Sequence, residues 1–209
     1  MDSQTIDTIA ERIPWASWAI WGDDFPDGVC VEQTPERLVE FVHDRASLLT
    51  PDVVLLGLNR SDDLDAPFQN FHAPTRYHYD YRLKEFIQDD NLDSLKGAYM
   101  TDLVDQVNPD STEVKVTDAD AEVLFEQLRV LGEEDCHMIC FGNKPFDGLV
   151  RYFEADVTTQ HPEIKRATIG VEGLALHVYR VWFYGLYGIY QDKVGVLKRQ
   201  LQQLDKQIA

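Results

Sequence analysis

Cations are scarce in this chain: its 209 residues carry 19 Lys and Arg against 37 Asp and Glu, for a net charge of −18. Most polyanions are therefore repelled. Long apolar runs are absent as well. None approaches the roughly 18 residues needed to span a bilayer, and the opening Met1-Asp2-Ser3-Gln4 lacks the basic start of a signal peptide. A soluble, cytoplasmic protein with no membrane partner is expected. Cysteine is limited to three residues. Cys30 is remote, and Cys136 and Cys140 sit four apart inside an apolar run. Zinc sites prefer C-x2-C pairs on turns, so these read as core thiols.

What is present suits a packed core: 44% of the residues are hydrophobic and 11% aromatic, in a length typical of one domain. The charge is unevenly spread. Residues 1–150 hold 11 Lys and Arg against 31 Asp and Glu, and residues 151–209 hold 8 against 6. Any phosphate-facing surface is expected to draw on the last third and on local clusters, with Arg60, Arg76, Lys144, Arg180 and Lys193 as its cations.

The chain turns on Val53 to Ser61, Val-Val-Leu-Leu-Gly-Leu-Asn-Arg-Ser. A short apolar run that breaks at a glycine and empties into polar residues reads as a buried parallel strand. In open α/β sheets the ligand crevice lies beyond the carboxyl ends of such strands, which puts Asn59, Arg60 and Ser61 at its mouth.

Upstream, Trp15, Trp18 and Trp21 recur every third residue and read as a helical flap over the core. Thr34-Pro35 then starts a helix over 35–49. Downstream, Asp62 to Tyr81 is a long segment rich in aromatic, histidine and arginine residues. It is either a ligand-binding loop or one tacked down by its rings. Further strands are expected near 98–104, 137–142 and 174–184. Helices are expected after Thr117 or Asp118, after Asn143-Lys144-Pro145, and over the stretch bearing Val194, Leu197, Leu201 and Leu204. Residues 155–173 read as irregular. Asp102, a carboxylate inside an apolar strand, is either a structural acceptor or a site residue.

The pattern predicts an α/β fold: a three-layer αβα sandwich on a four-stranded, mostly parallel central sheet. It predicts a single domain over 1–209, with 1–34 an aromatic flap and loop and 35–209 the core.

Taken in order, these junctions resemble the uracil-DNA glycosylase superfamily over roughly residues 50–205. One branch of that family ends its first strand in Gly-Ile-Asn-Pro-Gly, which Gly57-Leu58-Asn59-Arg60-Ser61 resembles. By that resemblance Asn59 falls on the residue that positions water, and Arg60 replaces the proline. Phe68 or Phe71 could take the family's base-stacking role, with His72 beside the latter. Thr101-Asp102 is similar to the family's Thr-Asn, whose amide reads the base edge; a carboxylate in that place only accepts. Phe141-Gly142-Asn143 resembles the third-strand junction. The last family motif, His-Pro-Ser or Asn-Pro-Ser, has no counterpart in Trp182-Phe183-Tyr184-Gly185-Leu186-Tyr187, and Tyr184 is the donor offered there.

The resemblance implies a DNA-repair hydrolase acting on an N-glycosyl bond, with a nucleobase or a single-stranded or flipped nucleic acid as partner and no cofactor or metal. Asn59 and Tyr184 would be catalytic, with Gly57, Arg60, Ser61, Phe68, Phe71, His72, Asp102 and Asn143 binding the base. A second reading is a module that kept the pocket and lost the reaction. A third is a metal-dependent phosphohydrolase using Asp62, Asp63 and Asp65.

Overall fold

The computed structural model describes residues 1–21, 35–72, 79–160, 163–185 and 188–209. Helices α1 (Ser3–Arg12), α2 (Pro35–Asp44), α3 (Tyr79–Lys84), α4 (Asp118–Leu131), α5 (Asn143–Tyr152) and α6 (Val194–Ile208) accompany seven strands. These are β1 (Ser17–Trp18), β2 (Thr50–Arg60), β3 (Ala98–Val107), β4 (Asp135–Phe141), β5 (Thr158–Gln160), β6 (Ile164–Val171) and β7 (Leu174–Val181). They form one sheet in the order β1-β3-β2-β4-β7-β6-β5.

The four expected strands are the parallel centre, β3-β2-β4-β7. The expectation of a four-stranded sheet is corrected: β1, β6 and β5 extend it antiparallel at both edges, giving a mixed sheet of seven strands among the described residues. Thr158–Gln160 and Ile164–Val171 are therefore strands where irregular chain was expected. Trp18 is in a strand as well, so the three tryptophans do not share a helix. Helix α2 ends at Asp44, short of residue 49, and a 3₁₀ turn at Ala46–Leu48 leads into β2.

Side chains alternate across the sheet. Val54, Leu56, Tyr99 and Leu103 join one core, with Leu124 and Leu128 of α4 and Phe146 and Leu149 of α5. Val53, Leu55, Met100, Ile139 and Tyr179 join the other, with Leu197, Leu201 and Leu204 of α6. Cys136 and Cys140 are buried free thiols. No described helix is long and apolar enough to cross a membrane.

Helix α4 shows how local chemistry sets an element. Thr117 caps it in a reciprocal capping box with Asp120, and Gly132 ends it in the left-handed conformation at φ 78°. From its buried face Gln127 accepts hydrogen bonds from Tyr99 Oη at 3.1 Å and Thr101 Oγ1 at 2.9 Å. Thr101 is thus spent on the core, and its neighbour Asp102 emerges on the opposite face. Gln127→Leu strands two buried hydroxyls and is expected to lower stability by about 2–4 kcal/mol in urea unfolding. A loss under about 1 kcal/mol would show that the hydroxyls find other acceptors.

Candidate functional site

Gly57 and Asp102 are paired across β2 and β3. A Cβ at Gly57 would lie 2.2 Å from Asp102 Oδ1 and 3.3 Å from Phe71 Cε1, so the missing side chain is the space that the carboxyl group occupies. Asp102 is 3% exposed. Its Oδ2 accepts from Asn70 Nδ2 at 2.8 Å, and the same amide donates to the Trp15 carbonyl at 2.8 Å. Burial pushes the Asp102 pKa up to about 7. The charges of Asp80 and Asp105 add to this, while Asn70 and Arg60 oppose it.

Tyr184 completes the cluster from beyond β7. It is buried, with its ring edge-on to Phe141 at 5.0 Å. Burial holds its hydroxyl well above the ordinary tyrosine range, helped by the charges of Asp80 and Asp102 and by a hydrogen bond with Asp80. Arg82 Nη1 donates to the Tyr184 carbonyl at 2.7 Å, so α3 is tied to the exit of β7.

Of the expected site residues, Gly57, Phe71, Asp102 and Tyr184 come together. Asn70 and Asp80 belong with them although sequence reasoning gave them no role. Asn70 sat in view between two candidate aromatics, whereas nothing in the sequence pointed at Asp80.

The others have different tasks. Asn59 Nδ2 donates to the carbonyls of Arg60 at 2.7 Å, Asn108 at 2.8 Å and Gln106 at 3.4 Å, clipping the irregular ends of β2 and β3 together. Arg60 pairs with Asp105, and Ser61 is exposed. Phe68 is buried in the opposite core from Phe71, and its carbonyl accepts from Ser17 Oγ at 2.9 Å. His72 Nε2 donates to the Trp18 carbonyl at 3.0 Å, and burial lowers its pKa to about 4, so the ring is neutral. Phe68 and Phe71 both hold left-handed backbone, at φ 63° and 64°. That conformation costs a non-glycine residue about 1–2 kcal/mol, offset here by two buried rings. Asn143 Oδ1 accepts from Arg180 Nε at 2.8 Å, on a different part of the edge.

The expected phosphate-facing cations are largely engaged within the protein. Lys144 Nζ donates to the carbonyls of Ser111, Thr112 and Val114. Arg180 and Lys193 both approach the Trp182 ring, at 5.1 and 5.5 Å. Arg76, Cys30 and Tyr187 lie outside the described residues. Asp62, Asp63 and Asp65 are exposed, and among the described residues no group of three His, Cys, Asp or Glu side chains is arranged to hold a metal.

Among the described residues, one cavity of about 260 Å³ lies between α2 and β1, and another of about 480 Å³ lies near the amino ends of β2 and β3, beside Thr50 and Gly97.

No protein-family model matches the chain, and no curated protein matches it.

Asp102 and His72 act oppositely on stability. Asp102 has a raised folded pKa, so its contribution is fully present below about pH 4 and is lost as pH rises through about 7. His72 has a lowered one, so its contribution is present above about pH 6.5 and is lost as pH falls through about 4. In Asp102→Asn, stability measured relative to wild type is expected to rise between pH 4 and 7.5 by about 2–4 kcal/mol. In His72→Gln the same difference should rise as pH falls from 7 to 4. Flat difference curves in urea unfolding would contradict both assignments.

Proposed function

We propose that the chain is a uracil-DNA glycosylase-like protein that takes a nucleobase against Asp102 at the carboxyl edge of the sheet. The observation that carries this reading is a carboxyl group held near neutrality, with a pKa of about 7, among residues from β2, β3, α3, the loop after β2 and the exit of β7. In its acid form a carboxyl group offers one O–H donor and one carbonyl acceptor, as a carboxamide offers an N–H and a carbonyl. Thr101-Asp102 therefore supports the reading role that the amide of Thr-Asn has in the resembled family, with the proton supplying the missing donor. Arg60 supports it further: its Nε is buried without a hydrogen-bond partner, and its charge acts on Asp102; a carbonyl oxygen on a base is an acceptor of the kind it lacks.

Recognition stands ahead of turnover in this reading, because the amide nitrogen of Asn59 is committed to three backbone carbonyls. Tyr184 favours N-glycosidic cleavage as the second reading. Its hydroxyl stays protonated at any physiological pH and is held by Asp80; on exchanging that acceptor it would donate to a base leaving with the bonding electron pair. The engaged cations and the charge of −18 favour a free base, a nucleoside or a short single strand over duplex. Phe71 is 4% exposed, so stacking on it goes with lifting of the loop that carries Asn70. The cytoplasmic setting expected from the sequence is retained.

Calorimetric titration of uracil, cytosine and their nucleosides across pH 6–9 tests the proposal. Wild-type affinity for the preferred base is expected to fall above pH 7, approaching tenfold per pH unit as Asp102 ionises. Asp102→Asn should bind within about threefold of the acid form with no such pH dependence, and Phe71→Ala should weaken binding by about 1–3 kcal/mol. Absence of binding to every probe at millimolar concentration, or a wild-type affinity indifferent to pH, would overturn it.

A further inference from the structure

Asn70 already makes, inside the protein, the kind of contact that a base is proposed to make with Asp102. Its Nδ2 donates to Asp102 Oδ2 at 2.8 Å and to the Trp15 carbonyl at 2.8 Å. Both partners are acceptors, so the group between them brings two hydrogens on one nitrogen. The oxygen of the same carboxamide accepts from the Phe71 backbone N–H at 3.1 Å. Asn70 is half-buried, whereas Asp102 is 3% exposed. A ligand therefore takes Oδ2 by displacing the amide that holds it.

What leaves must be replaced in kind. Once the Asn70 side chain swings out, Asp102 Oδ2 and the Trp15 carbonyl are two acceptors that one NH2 group had served, and a buried acceptor left without a donor is costly. Because Oδ2 accepts from Asn70, the proton of the acid form belongs on Oδ1, the oxygen that lies over Gly57. The site then offers one donor beside two acceptors that converge on a single nitrogen. An edge of the form N=C–NH2 meets all three: its ring nitrogen accepts from Oδ1–H, and its exocyclic amine donates one hydrogen to Oδ2 and the other to the Trp15 carbonyl. The uracil edge pairs with the carboxyl group through a carbonyl and N3–H, and brings no donor to Trp15.

We infer that the base taken by this site carries an N=C–NH2 edge, as cytosine and adenine do, and that the Asn70 carboxamide is its stand-in in the free protein. The inference rests on the base-binding reading of Asp102 and narrows it to amino-bearing bases.

Calorimetric titration at pH 6, below the Asp102 pKa of about 7, compares cytosine with uracil and adenine with hypoxanthine, pairs that exchange an amine for a carbonyl. The amino-bearing member of each pair is expected to bind about 5- to 100-fold more tightly, the cost of one buried carbonyl left without a donor. Removing the stand-in by Asn70→Ala should tighten cytosine binding by about 3- to 10-fold, as loss of one competing neutral hydrogen bond does. If that variant unfolds, Asn70→Ser serves the same purpose. In ¹H–¹⁵N spectra of the full chain, cytosine should move the Asn70 side-chain NH2 signals, assigned by their loss in the variant, to the positions of a solvated amide. Uracil and hypoxanthine bound as tightly as their amino counterparts, Asn70 signals unmoved by bound cytosine, or a variant that binds cytosine less tightly would overturn the inference and leave base binding at Asp102 standing. No binding of any of the four bases would overturn both.

Discussion

A methyl group at position 57 would stand 2.2 Å from Asp102 Oδ1, and the contact between the two central strands depends on its absence. With Gly57 in place, a carboxyl group is accommodated at 3% exposure in a layer that is otherwise apolar. Everything around it answers that burial. Asn70 turns its amide to the carboxylate and to the Trp15 carbonyl, which fixes the loop after β2. That fixing goes with two phenylalanines held in left-handed backbone. Tyr184 and Asp80 close the far side with their own hydrogen bond. Keeping a carboxyl group that titrates near 7 where an unfolded chain titrates near 3.8 costs about 4 kcal/mol once it is ionised, a large fraction of an ordinary domain's stability. Expense of that kind is characteristic of functional sites.

The charge distribution works in the same direction. Negative groups at positions 80 and 105 raise the Asp102 pKa, and the single cation that opposes them, Arg60, is shared with Asp105. Among the described residues this edge of the sheet is thus poor in uncommitted positive charge, so the proposed base recognition would draw on hydrogen-bond complementarity more than on attraction for phosphate.

Much of the parallel centre was legible in the sequence, because buried parallel strands are continuous apolar runs and Val53–Leu56 or His137–Phe141 are hard to read otherwise. The edges were not. Strand β1 is two residues long and carries no period of its own; its tryptophans mimic a helical spacing. Strand β6 did leave a signal, since Ala167, Ile169 and Val171 alternate with smaller or polar residues. Glu172 and Gly173, at φ 49° and 91°, form the two-residue turn that joins it to β7. At the site, the meeting of Gly57 with Asp102 was foreshadowed by a strand glycine and a strand carboxylate. The role of Asn59 was not legible, because the carbonyls of residues 106 and 108 that capture its amide come from a distant strand end. Phe68 and Phe71 look equivalent in sequence, and only the left-handed turns between them send their rings to opposite cores.

The central claim is that Asp102 carries its proton near neutral pH. Following its side-chain carboxyl carbon by ¹³C NMR through a pH titration, with Asp102→Asn to assign the signal, measures this directly. A midpoint at about 7 is predicted. A midpoint near 4, the value of an ordinary solvated carboxylate, would contradict the account and with it the donor–acceptor reading of the site.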